Sequence, residues 1–259
     1  MGGTDASTEF RVWVESTRFD ADQVADRTAA IHEALLRESR CLDAGNFSEI
    51  HTTDLERLYH LYDERFFGSR FTSTLDQDSL RFRLSRRMTR AGGKTTSYGP
   101  GDQGARPYYE IAVASSLLFD CFGDGDHRPI SVSGLVCQDR LEALQRIFEH
   151  ELVHLAELLI WASSSCSSPR FQSIAAGLFG HTKHRHGLIT PVERAVEQFD
   201  IEPGDRVRFC FEETWYTGFV NRITRRATVL VEDPAGSRYS DGNRYAKFYV
   251  PVAELEKSG

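Results

Sequence analysis

Residues 135–161 read LVCQDRLEALQRIFEHELVHLAELLIW, and this stretch decides the fold. It is dense in Leu, Glu and Ala, which lose little side-chain freedom in a helix, and it contains neither Gly nor Pro. The spacing predicts one long helix over 135–161. Inside it lies His150-Glu151-Leu152-Val153-His154. Chance supplies about 0.02 copies of this HExxH pattern in a chain of such composition. On a helix, positions i and i+4 share a face about one turn apart, so both imidazoles can reach one Zn²⁺. Glu151 points to the side, where it can take a proton from water on the ion as that water attacks a carbonyl. The plain alternative is two helix histidines without a role. Their placement argues against it: at about 100° per residue, Leu141, Phe148, Leu155 and Leu159 cluster on one side, roughly opposite His150. The histidines leave the apolar stripe and face something else.

A catalytic zinc site needs a third protein ligand. A continuation with Gly at 157 and His at 160 is absent, because the chain has Glu157 and Ile160. Glu157 lies on the same helix, where it reads as a surface charge or a support. Three more histidines sit in Gly180-His181-Thr182-Lys183-His184-Arg185-His186. Pro169 opens a shorter helix to about 178, closed by Gly180. If that helix runs back along the first, its ten residues at ~1.5 Å each return the chain ~15 Å, level with 150–154. His181 is therefore the first choice for third ligand, His186 the second and His184 the third. The competing reading is a polar loop of exposed histidines. Cys166, in the loop ASSSCSS at 162–168, reads as a packing or surface thiol, with a metal or redox role as the alternative.

Outward from this core, residues 21–39 and 52–67 read as helices. In the second, Leu55, Leu58, Tyr59, Tyr62 and Phe66 form one apolar stripe, with Thr52 or Thr53 as cap. Leu80-Arg81-Phe82-Arg83-Leu84 alternates, the mark of a half-buried strand. Thr95 to Tyr98 and Tyr108 to Ala114 read as strands around a polar loop at 99–107. A small antiparallel sheet is expected between about 70 and 115. Thr190-Pro191-Val192-Glu193 is a capping box, so a brief helix follows to about 198. Glu202-Pro203-Gly204 marks the expected boundary. Beyond it, short β-like runs at 206–211, 216–221, 227–231 and 248–250 point to a small barrel. The expected division is 1–50 as a helical extension with residues 1–10 frayed, 51–199 as the motif-bearing domain, and 200–259 as a β-module.

The chain has 259 residues, 40% hydrophobic and 27% charged, which fits a packed core and excludes wholesale disorder. A net charge of −7 excludes a globally basic nucleic-acid binder. No apolar run approaches the ~20 residues that span a bilayer, and the first ten residues lack a signal-peptide pattern. Five scattered cysteines without a CxxC pair read as free thiols. These features lead to an expected cytoplasmic location with no membrane contact, and they leave nucleoid or nuclear association open.

Residues from about 55 to 190 resemble the SprT-like zinc metalloproteases, the family that includes Spartan. Besides HExxH, the resemblance rests on Phe66-Phe67-Gly68, Arg87-Met88-Thr89 followed by Ala91-Gly92, Thr96-Ser97-Tyr98, and Ile111-Ala112-Val113-Ala114-Ser115 followed by Leu117-Leu118. It implies an α+β zincin-like domain and a peptidase in which His150, His154 and a third histidine hold zinc and Glu151 is the general base. Many relatives carry that third histidine just before a Pro-x-Phe. Here Pro169-Arg170-Phe171 is present, but Ser167 stands in its place. Either His181 substitutes from the other end of the helix or the site is degenerate. The tail resembles an SH3-like barrel whose aromatics, Trp215, Tyr216, Phe219, Tyr239, Tyr245, Phe248 and Tyr249, line a groove or form its core.

The leading expectation is a zinc-dependent endopeptidase acting on proteins, with strand 108–115 presenting the substrate by backbone pairing. DNA association is implied by the resemblance and would use the basic run Arg81, Arg83, Arg86, Arg87, Arg90 and Lys94; a solvated strand face is the competing reading. The alternatives are a non-catalytic zinc-stabilised adaptor that binds DNA or protein through the basic strand and barrel, and a hydrolase acting on another bond.

Overall fold

The computed structural model describes residues 6–76, 78–100, 106–123 and 125–258. The chain is α+β and divides into two compact units, 1–188 and 189–259.

The first unit opens with helix α1 (Ala6–Ser16), where a frayed start had been expected; Phe10 and Val14, one turn apart, are both buried. Helix α2 (Ala21–Glu38) starts at a capping box between Asp20 and Gln23. Helix α3 (Thr52–Tyr62) passes into a π-helical turn, Asp63–Phe67, ended by Gly68. Asp63 is buried and accepts hydrogen bonds from the backbone N–H groups of Phe71 and Thr72, which fixes the short helix α4 (Arg70–Thr74). Tyr62, Phe66, Phe67 and Phe71 fill the centre of this unit.

Strands β1 (Leu80–Leu84), β2 (Gly93–Tyr98) and β3 (Tyr108–Val113) form one sheet in the order β1-β3-β2. The sheet is mixed, not antiparallel as expected: β1 runs parallel to β3, and β2 antiparallel to it. The middle strand is thus β3, with backbone partners on both sides. Helix α5 (Ser115–Phe119) follows.

The motif helix is shorter at its start than the sequence reading gave. Strands β4 (Ser131–Val132) and β5 (Leu135–Val136) form a tight hairpin. Its two turn residues, Ser133 and Gly134, have φ of 53° and 83°, as a two-residue turn with right-handed strand twist requires. Helix α6 (Arg140–Trp161) begins only where Asp139 accepts a hydrogen bond from the Glu142 N–H at 2.8 Å. Helix α7 (Pro169–Phe179) has Ser168 as its cap, proline in the first turn, and Gly180 at φ 69° as its stop. The brief strand β6 (His186–Gly187) pairs with β4.

The second unit starts before helix α8 (Pro191–Phe199), not after it. Ala195 is buried with Val207, Phe209, Val220 and Val229, so α8 belongs to the β-module's core. Strands β7 (Arg206–Phe211), β8 (Thr214–Ile223), β9 (Ala227–Arg238) and β10 (Arg244–Val250) form a meander. After a 3₁₀ turn at Val252–Glu254, β11 (Glu256–Lys257) pairs with β7. The order β10-β9-β8-β7-β11 leaves β10 and β11 as edges, so the expected barrel is an open five-stranded antiparallel sheet. Trp215 and Tyr249 are 59% and 63% exposed and do not serve its core, whereas Tyr245 is buried. Among the described residues no helix is long and apolar enough to cross a membrane.

Candidate metal centre

Helix α6 presents His150 and His154 one turn apart, and their Nε2 atoms lie 3.2 Å from each other. Phe171, in the first turn of α7, packs on both rings, with centroids 4.8 and 4.5 Å away. Both imidazoles lose solvent to this packing. Burial, reinforced by His154 and more distant histidines, pushes His150 down to about 3. Burial also pushes His154 down to about 4, against the pull of Glu157. Two uncharged rings at neutral pH, each with one nitrogen lone pair to offer, are what a cation requires of imidazole ligands.

Behind His154 runs a chain of polar contacts. His154 Nδ1 lies 2.6 Å from Ser164 Oγ, and Ser164 donates to Glu157 Oε2 at 2.5 Å. The other Glu157 oxygen accepts from Arg170 Nε at 2.6 Å. The serine's single proton is committed to the carboxylate, so His154 Nδ1 must be the donor and its Nε2 carries the lone pair. Glu157 is fully buried, and its role is to anchor this chain.

Glu151 is 3% exposed and leans against β2. Thr95 Oγ1 lies 2.8 Å from its Oε2. A Cβ on Gly93 would sit 2.6 Å from Glu151 Oε1, so only glycine lets the strand come this close. Burial, partly offset by Thr95, pushes the carboxyl up to about 7. His150, Glu151, His154, Gly93, Thr95 and Cys166 all line one cleft of about 650 Å³. Its basic rim comes from Arg90, Lys94 and Arg185.

The expected third ligand, His181, lies elsewhere. Its Nε2 bonds Glu149 Oε2 at 2.8 Å, and its side chain is 1% exposed. Glu149 is a buried carboxylate that also accepts from Tyr62 Oη at 2.8 Å and Arg146 Nη1 at 2.9 Å. Burial works to raise its pKa, but Arg146, His181 and Tyr62 outweigh it and hold the group below its ordinary value. The helix-return estimate failed because it gave the loop 162–168 no travel of its own. Ala162 has φ 53°, the chain reverses there, and the loop alone brings it back to the histidines. The start of α7 therefore lies beside His150 and His154, whereas its end passes to the Glu149 face of α6.

The other two candidates line the cleft but do not bring a ring nitrogen together with His150 and His154. His186 Nε2 donates to the Arg90 carbonyl at 2.9 Å, and Gln172 Nε2 lies 3.5 Å from His184 Nδ1. Instead, His150, His154 and Cys166 place their donor atoms within 4.8 Å of one another. The sequence carried a trace of this: Cys166 is the neighbour of Ser167, the position to which the family resemblance assigned a ligand.

The basic run also divides. The Arg81 guanidinium lies 3.9 Å from the Tyr108 ring centre, and Arg83 Nε donates to Glu110 Oε1 at 2.9 Å, so two of its members serve the sheet. Strand β3, expected to present a substrate, has no free backbone edge; the strand that flanks the cleft at a sheet edge is β2. No family model, curated protein or solved structure matches this chain.

Proposed function

We propose that this chain is a metal-dependent endopeptidase of the SprT-like, zincin-like kind. The observation that carries the reading is a buried carboxylate, Glu151, opening on the same cleft as two neutral imidazoles whose Nε2 atoms face each other. A zinc ion held by His150 and His154 would supply Lewis-acid chemistry, polarising a carbonyl and acidifying water. Glu151 takes a proton from the attacking water and passes it to the leaving amine. Its elevated pKa suits both transfers. Thr95 holds one carboxylate oxygen, which fixes the direction in which the other can act. The outer edge of β2, unpaired among the described residues, can take an extended peptide by backbone hydrogen bonding. Arg90, Lys94 and Arg185 at the rim favour acidic segments over basic ones.

In the second unit, the last strand returns after a 3₁₀ turn to pair with the first, which supports the SH3-like reading of this module. Exposed Trp215, Phe219 and Tyr249 favour a role in binding, and they are the observation behind the adaptor alternative.

Glu151→Gln separates the two functions. Metal content stays at the wild-type level, and cleavage of an unfolded protein substrate falls by about 10²–10⁴-fold. Cleavage at the wild-type rate would remove Glu151 from the mechanism and favour the adaptor.

A further inference from the structure

A catalytic site of this kind takes three protein donors and keeps a fourth position open. We propose that Cys166 is the third ligand, its thiolate completing a His₂Cys centre with His150 and His154. The inference rests on the metallopeptidase reading and assigns as a ligand the thiol for which the sequence offered a metal role only as the alternative.

Geometry supports it first. Ligand bonds of ~2.05 Å to nitrogen and ~2.3 Å to sulfur at tetrahedral angles put two nitrogens ~3.3 Å apart and a sulfur ~3.6 Å from each. The two Nε2 atoms are 3.2 Å apart, and the three donors lie within 4.8 Å of one another. Closing the remaining gap takes a side-chain adjustment, not a rebuilt loop.

The loop is braced so that the thiol stays at the cleft. Arg170 Nη2 donates to the Ser163 carbonyl at 3.0 Å while its Nε holds Glu157. Gln172 Nε2 donates to the Cys166 and Ser167 carbonyls at 3.4 and 3.3 Å. Ser164 fixes the His154 tautomer that leaves Nε2 bare. Cys166 thus sits between two anchored segments, directly before the helix whose Phe171 packs on both rings.

Placement points the same way. Among the described residues, the ligand atoms of His181, His184 and His186 do not join those of His150 and His154, whereas the Cys166 sulfur does, and Glu157 is held by Ser164 and Arg170. Loading the site breaks the Cys166 S–H bond, sends that proton to solvent, and forms one sulfur–metal bond. The thiolate lowers the net charge of the centre from +2 to +1. It also selects zinc or cobalt over magnesium, calcium or manganese, which prefer oxygen donors.

The test uses the full-length protein stripped of metal and reloaded with Co²⁺. Wild type is expected to bind one ion per chain and to show the near-ultraviolet sulfur-to-cobalt charge-transfer band. Cys166→Ser is expected to lose the band and about 100-fold or more in affinity. Cys166→His is expected to bind without the band. In unaltered protein, Zn²⁺ should slow alkylation of Cys166, mapped by mass spectrometry, by about tenfold or more, with exposed Cys210 as the unprotected control. Cobalt bound by wild type without the sulfur band, or a band surviving in Cys166→Ser, overturns the assignment while leaving the metal site intact. Cobalt affinity unchanged in both His150→Ala and His154→Ala overturns the underlying reading as well.

Discussion

At the scale of single residues, two buried carboxylates two positions apart on α6 have opposite fates. Glu149 is satisfied by Arg146, Tyr62 and His181, whereas Glu151 has only Thr95 and stays hard to ionise. His181→Ala should therefore cost stability, not metal. Leaving Glu149 short of a partner costs about 1–3 kcal/mol, a fall in Tm of about 2–12 °C, with metal content unchanged by elemental analysis. Glu151 makes a prediction of its own in metal-free protein. Its folded-state pKa is about 7 against an ordinary 4.5, so its contribution to stability is full below 4.5 and is lost as pH rises through 7. The metal-free Glu151→Gln variant should gain on wild type by up to about 3 kcal/mol between pH 4.5 and pH 8. Urea denaturation of both proteins across that range checks this. The two imidazoles titrate alike in both and cancel; a gap independent of pH removes the buried carboxylate as its cause.

At the scale of elements, the local signals in the sequence were reliable where a cap or a period sets the structure. The helix stop at Gly180, the capping box at Thr190, and the alternation in Leu80–Leu84 all appear as read. Signals failed where partners come from afar. The Leu135-Val136 pair has helical neighbours but is drawn into a hairpin with β4. The parallel pairing of β1 with β3 has no mark in either strand. HExxH was legible because both proposed ligands and the proposed base lie on one helix. The place of Cys166 was not, because a reversal at Ala162 puts it there. The interface between α6 and β2 is testable at Gly93. Gly93→Ala introduces a Cβ 2.6 Å from Glu151 Oε1 and forces the carboxylate aside. A misplacement on the order of 1 Å costs about 10²-fold in turnover, so kcat should fall by about that factor while bound metal stays at one ion per chain. Wild-type turnover would mean that the carboxylate has freedom this packing denies it.

At the scale of the whole molecule, the chain is two cores joined in sequence near Leu188 and Ile189. Residues 6–50 belong to the first core, since α1 and α2 bury Phe10, Val14, Ile31 and Leu35. Helix α8 belongs to the second, which the punctuation at Glu202-Pro203-Gly204 concealed. A fragment of residues 189–259 should unfold cooperatively by itself. A fragment of residues 200–259 loses Ala195 and the flanking Val192, and should be weaker by about 1–3 kcal/mol. Equal denaturation midpoints for the two would place α8 outside the core.

On the proposed peptidase reading, the outer side of β2, unpaired among the described residues, has a consequence for selection of targets. A guest that joins a sheet margin must surrender its own internal pairing over several residues, and the guest's local opening free energy is then subtracted from binding. Turnover would track how readily a target frays, so well-folded neighbours in the cell would survive while damaged or partly unravelled chains would be cut.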